Sequence, residues 1–399
     1  MFSTKTLAIL LISIFTFSSC SNDDDSTNDT RVQAPLTYSF ERNGESTVDF
    51  NGQTTRIAMA GELSSALLDN SISEEELDAM FAHAEGDADF MDAELNASDK
   101  NIRSKVAASA DYFSANSTLS NAIKSDFDTW ISEQANGVFL SWDLTASEGE
   151  AGQLQQAGGG SVRYINNKGI ELNQVISKSL IGALMTDQML NNYLSPSVLD
   201  AGSNREDNDA SIVAEGKPYT NMEHKWDEAY GYLYGAETDA SMPVLNADLF
   251  LNRYLSQVNE DEDFSGIAQT VFDAFKLGRA AIVAGDYDLR DAQAEIIREY
   301  ISKVIAVRAV HYLQEGKAKM AENDMASAFH QLSEGYGFIY SLQFTRVPNT
   351  DASYFSNAEV MEFLEDLSEG NGFWDVSADT LDAISAEIAT RFNFQVEQA

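Results

Sequence analysis

The sequence predicts an all-α protein built as two pseudo-symmetric helical bundles behind a short extended N-terminal segment. Three observations carry this. Only five prolines interrupt 399 residues. Apolar residues recur at helical spacing over long stretches. One twelve-residue pattern occurs twice, as HKWDEAYGYLYG from His224 and as HQLSEGYGFIYS from His330. With 44% hydrophobic residues, the chain can bury a large core.

The first element is a targeting segment. MFSTKTLAILLISIFTFSSC carries one lysine, an apolar run from Leu7 to Phe17 and small residues before Cys20, the only cysteine. This reads as a signal peptide over residues 1–19, too short to span a membrane as a mature helix. Its end resembles a lipobox, with Phe17 where leucine is usual, so Cys20 is the expected lipidation site. Residues 20–36 begin SNDDDSTNDT after that cysteine, too polar to fold, and read as a lipidated acidic tether. The acidic run also resembles the export tags of some Gram-negative surface lipoproteins. The expected location is the outer membrane, surface-exposed, with its periplasmic face as the alternative. The membrane, through the lipid, is the first expected partner.

Residues 37–399 form the folded part, with bundle halves of about 37–240 and 241–399. It opens with an extended stretch turning at Asn43-Gly44 and Asn51-Gly52. A helix follows from near Thr55, and a second is announced by a capping box at Ser73 and Glu76. Further helices are predicted at 102–114, 118–135, 170–194, 221–235, 245–258, 266–283, 289–316, 323–343, 357–368 and 377–393.

Charge narrows the function classes. There are 25 basic and 64 acidic residues, a net charge of −39. Phosphate backbones are held by basic patches, so nucleic acid is excluded as a partner. Such a field favours cations, metals among them, and also serves solubility outside a cell.

The repeated motif holds two of the four histidines. On a helix, residues i, i+4, i+7 and i+11 share a stripe, which groups His224, Glu228, Gly231 and Gly235, and likewise His330, Glu334, Gly337 and Ser341. Ile-Ser-Lys precedes each motif, at 176–178 and at 301–303, so the order of landmarks repeats and an internal duplication is expected. A histidine and a carboxylate at i, i+4 can hold a metal from one helix face if other residues complete the set, with Glu223, Asp227, Glu171 and Asp187 as candidates. Alternatively the glutamate accepts a hydrogen bond from the ring as a satisfied polar pair. His83 and His311 read as ordinary helix residues. No His-Glu-x-x-His or Gly-x-Ser-x-Gly motif occurs, and a lipidated Cys20 leaves no recognisable nucleophile–base pair, so no enzymatic activity, peptidase activity included, is expected.

The lipobox, STVDFNGQTTR, KVAASADYF, KSLIGALMTDQMLNNYL, YTNMEHKWDEAYGYLYG and AFHQLSEGYGFIYSL together resemble a family of uncharacterised bacterial lipoproteins allied to the imelysin-like proteins. That resemblance implies a two-bundle fold and a non-enzymatic role in acquiring iron, another metal such as zinc, or haem, with an outer-membrane transporter as a second partner. The alternative is a non-catalytic interaction or scaffold lipoprotein whose His/Glu motifs are structural. The hallmark of imelysin-like proteins is Gly-x-His-x-x-Glu. Here Met222 replaces the glycine and Asp227 the glutamate, with Glu228 one place later. The resemblance therefore implies His224 and Asp227 as metal ligands, with Glu228 as a substitute. The second copy has Ala328 and Ser333 at those positions, so His330 and Glu334 are expected to be structural.

Overall fold

Asn43 and Gly44 both adopt positive φ, 55° and 83°, the requirement of a two-residue hairpin turn. They join β1 (Glu41–Arg42) to β2 (Glu45–Ser46) in antiparallel register, as the Asn-Gly pair predicts. The computed structural model describes residues 31–399, of which 32–399 form one compact unit. The signal segment, Cys20 and the tether as far as residue 30 lie outside the described residues.

The described residues contain fifteen α-helices and only two two-stranded sheets, so the fold is predominantly all-α. Eleven helices have nine or more residues: α1 (Asn51–Ala66), α2 (Glu74–Ala82), α3 (Ser117–Glu133), α4 (Leu172–Leu180), α5 (Asn221–Tyr234), α6 (Leu251–Glu260), α7 (Ile267–Ala284), α8 (Tyr287–Ala321), α9 (Met325–Ser341), α10 (Asn357–Ser368) and α11 (Ala378–Arg391). Most follow the predicted spans to within a few residues. The Ser73/Glu76 capping box is formed at the start of α2.

Four departures have physical causes. Asn51-Gly52 is not a turn but the start of α1, because the Asp49 carboxylate accepts the Asn51 N–H and pulls the chain into its first helical turn. The helix expected over 102–114 is reduced to Ala110–Phe113. Ala107 is held at φ 45° while its N–H donates to the Ala183 carbonyl, so a tertiary hydrogen bond overrides local propensity. The helix expected from 245 begins at Leu251, since Asn246 has φ 74° and the Asp248 carboxylate accepts the Phe250 N–H. A second hairpin, β3 (Gly152–Gln155) with β4 (Val162–Ile165), was not foreseen in its glutamine- and glycine-rich stretch.

The predicted helix at 170–194 is one helical run that changes pitch. After α4 come π-helical segments Ile181–Thr186 and Met189–Tyr193. In the first, the Thr186 hydroxyl donates to the Ile181 carbonyl five residues back. This run is almost wholly buried. It lies along α9, and both sides are shaped for close approach. A Cβ added to Gly182 would sit 2.5 Å from the Ser341 backbone, and one added to Gly337 would sit 2.5 Å from the Lys178 Cβ.

The 35-residue α8 packs against α7, α9 and α11. Because α4 lies before residue 240 and α9 after it, the apolar interior runs unbroken across that boundary. No helix among the described residues is long and apolar enough to cross a membrane.

Candidate functional site

Both motif stripes pack, glycine side included, onto a helix from far earlier in the chain. α5 begins at a capping box formed by Thr220 and Glu223. Its stripe meets the N-terminus of α1. His224 Nδ1 lies 3.0 Å from the Asp49 carbonyl oxygen, Gln53 Nε2 donates to Glu228 Oε1 at 3.2 Å, and the Thr54 hydroxyl donates to the Gly235 carbonyl at 2.8 Å. Gly231 leaves room for Phe50, whose Cβ would stand 2.4 Å from an added methyl. The His224 ring stacks on Tyr219 at 4.6 Å.

The second stripe meets α4 in the same manner. His330 Nδ1 lies 2.6 Å from Glu171 Oε2, and Lys178 Nζ lies 3.2 Å from Glu334 Oε1. The Ser341 hydroxyl donates to the Lys178 carbonyl and accepts the Gly182 N–H. Each motif glutamate therefore faces a polar side chain of the helix earlier in the chain, an amide in one case and an ammonium in the other.

His224 and Glu228 come together, whereas Asp227 turns elsewhere. His224 Nε2 stands 3.9 Å from Glu228 Oε2, which also pairs with Lys225 Nζ at 2.6 Å. Burial depresses the His224 ring below the usual histidine range against the pull of Glu228. Asp227, one position earlier and about 100° around α5 from Glu228, is fully buried. Its Oδ1 accepts the Tyr38 hydroxyl at 2.6 Å and Arg279 Nε at 3.0 Å. Arg279 also donates to Glu223 at 3.1 Å and to the Thr47 hydroxyl at 2.9 Å, and Arg42 closes the network with a two-pronged pair to Glu223. Burial raises the Asp227 carboxyl against the pull of Arg279. Asp227 Oδ2 is buried without a hydrogen-bond partner.

The remaining candidates are also placed. Glu171 serves His330, and Glu223 serves the arginines. Asp187 accepts the Ala108 and Ser109 N–H groups at the break before Ala110–Phe113, and burial pushes it up to about 7. His83 pairs with Asp89 at 2.6 Å, and burial depresses His311 to about 4. Among the described residues, no three His, Cys, Asp or Glu side chains converge as a metal-holding group.

Sequence reasoning missed Arg279, Lys178 and Tyr38. A signal for the first was present, because Arg279 sits in the apolar helix IAQTVFDAFKLGRAAIVA, and a cation on a buried face requires buried anions. Tyr38 had no such signal. It stacks on Tyr230 at 3.6 Å only because the extended segment folds back over α5.

The second motif also borders a half-enclosed cavity of about 350 Å³ between α4, α6, α8 and α9. Its wall includes Lys178, Arg253, Tyr254, Tyr312, His330 and Glu334.

A predominantly helical domain whose two His/Glu helices are seated on helices earlier in the chain through polar networks is the class of protein that these features define. Over residues 35–395 the chain matches the family described as "Domain of unknown function (DUF4856)", and it belongs to that family. No curated protein and no solved structure matches it.

Proposed function

We propose that this chain is a non-enzymatic outer-membrane lipoprotein that binds a metal or haem in metal acquisition and passes it to a transporter. The supporting observation is the state of His224. Its Nδ1 is held by the Asp49 carbonyl while Nε2 is left beside Glu228, the arrangement by which an outer hydrogen bond orients a metal-binding imidazole. Burial lowers its proton affinity, which favours the neutral ring that a metal requires. Two donors do not complete a coordination sphere, and Glu228 must release Lys225 to serve. Cargo that brings its own ligands, as haem or chelated iron does, suits the pair better than a bare zinc ion. The resemblance to imelysin-like proteins supports the same reading.

A specific observation favours the second reading, a non-catalytic interaction or scaffold lipoprotein. Asp227, which the resemblance to imelysin-like proteins implies as a metal ligand, is spent on Arg279 and Tyr38. One comparison separates the two readings. Titration of the parent and of His224→Ala with iron, zinc and haem, beside melting curves without ligand, should show at least about tenfold weaker binding, ~1.4 kcal/mol, at an unchanged melting midpoint. A packing role instead lowers the midpoint by about 1–3 kcal/mol of stability and leaves affinity alone. A parent protein that binds none of the three ligands overturns the acquisition reading.

A further inference from the structure

The cavity beside the second motif is separate from the His224 pair and has its own chemistry. On a chain of net charge −39, its wall holds two cations, Lys178 and Arg253, against one carboxylate, Glu334. That carboxylate is already occupied. Lys178 Nζ is 3.2 Å from its Oε1 and the Tyr254 hydroxyl 3.5 Å from the same oxygen, so it has little to offer a cationic ligand. Arg253 is the reverse case. Its guanidinium makes no hydrogen bond or ion pair among the described residues, although it lies partly sheltered on α6. An arginine in this acidic chain without a carboxylate partner leaves a two-pronged donor available to a bound anion.

The other wall groups ask for hydroxyls rather than a second charge. Asn173 is only 6% exposed, lines the cavity and makes no side-chain hydrogen bond to the protein. Gln174 lines it with an equally uncommitted amide. Tyr254 and Tyr312 supply buried aromatic wall, a surface suited to the apolar face of a ring. The volume of about 350 Å³ stands at the small end of ligand sites, enough for one ring and its substituents.

We propose that this cavity is a binding site for a monosaccharide-sized acidic sugar, its carboxylate on Arg253 and Lys178 and its hydroxyls on Asn173 and Gln174. Isothermal titration of the full-length protein with galacturonate and glucuronate, and with the neutral sugars galactose and glucose, tests it. The uronates should bind with at least about tenfold preference over their neutral counterparts, the discrimination expected of a charge-assisted pair. Arg253→Gln should remove that preference, and Asn173→Ala should weaken the uronates while the circular-dichroism spectrum and melting midpoint stay unchanged. His224→Ala should bind uronates like the parent, which keeps this site distinct from any metal site. Equal binding of neutral and acidic sugars overturns the charge assignment. Benzoate binding as tightly as the uronates overturns the sugar assignment. Absence of uronate binding at millimolar concentration overturns the site.

Discussion

Gly337 lies against Lys178 so closely that a methyl group on its Cα would stand 2.5 Å from the Lys178 Cβ and 3.0 Å from the Val175 carbonyl oxygen. This approach lets the Lys178 ammonium reach Glu334, one helical turn back along α9, and lets Ser341, one turn on, bond the α4 backbone. The small side of the motif stripe thus sets the distance at which its polar side can work.

Gly337→Ala should therefore destabilise the protein by about 1–3 kcal/mol, because neither backbone nor Cβ can give way in a packed interior. Gly61→Ala is the control. Gly61 lies inside α1 with nothing within 4 Å of an added Cβ, so the change should stabilise by about 0.5–1 kcal/mol through helix propensity. Urea unfolding of both variants checks the contrast, and equal effects would refute the close-approach argument.

Arg279→Ala should cost about 3–5 kcal/mol, since it strands Asp227 and half of Glu223 in a buried site. Removing the Asp227 charge as well, in Arg279→Met with Asp227→Leu, should recover part of that loss. Chemical denaturation of the single and double variants measures the recovery.

Two buried groups should give opposite pH dependences. His311, held at about 4 by burial and by Arg308, binds its proton less readily when folded. Its contribution is complete above the ordinary histidine value and is lost as pH falls from about 6.5 toward 4. Asp187, raised to about 7 by burial, binds its proton more readily when folded. Its contribution is complete below about 4 and is lost as pH rises through 7. Melting midpoints of His311→Gln should fall less than those of the parent between pH 7 and pH 4.5. An unchanged slope would show that His311 does not titrate as its burial requires.

Replacing Asp23, Asp24 and Asp25 with alanine should abolish labelling of the protein on intact cells by an impermeant amine reagent at unchanged expression. Cys20→Ala should release it from the membrane fraction. Unchanged labelling of the triple variant would remove surface export from the proposal.

Local signals determined much of this protein. Helical periodicity placed most of the long helices, the Ser73-x-x-Glu76 pattern placed the start of α2, and Asn43-Gly44 placed the first hairpin, because each depends on residues within a turn or two of one another. The stripe pattern also put His224 beside Glu228 and His330 beside Glu334, since i, i+4 neighbours follow from helix geometry alone. Tertiary structure decided what those stripes touch. Nothing near residue 334 indicates that Glu334 will meet Lys178 rather than the lysine of the Ile-Ser-Lys copy just upstream in α8, nor that Asp227 will be claimed by Arg279 and by Tyr38, 189 positions away. Those pairings come from how the helices cross. The crossings are set by small residues such as Gly182, Gly231 and Gly337 and by the burial of whole faces, quantities summed over the fold and absent from any short stretch of it.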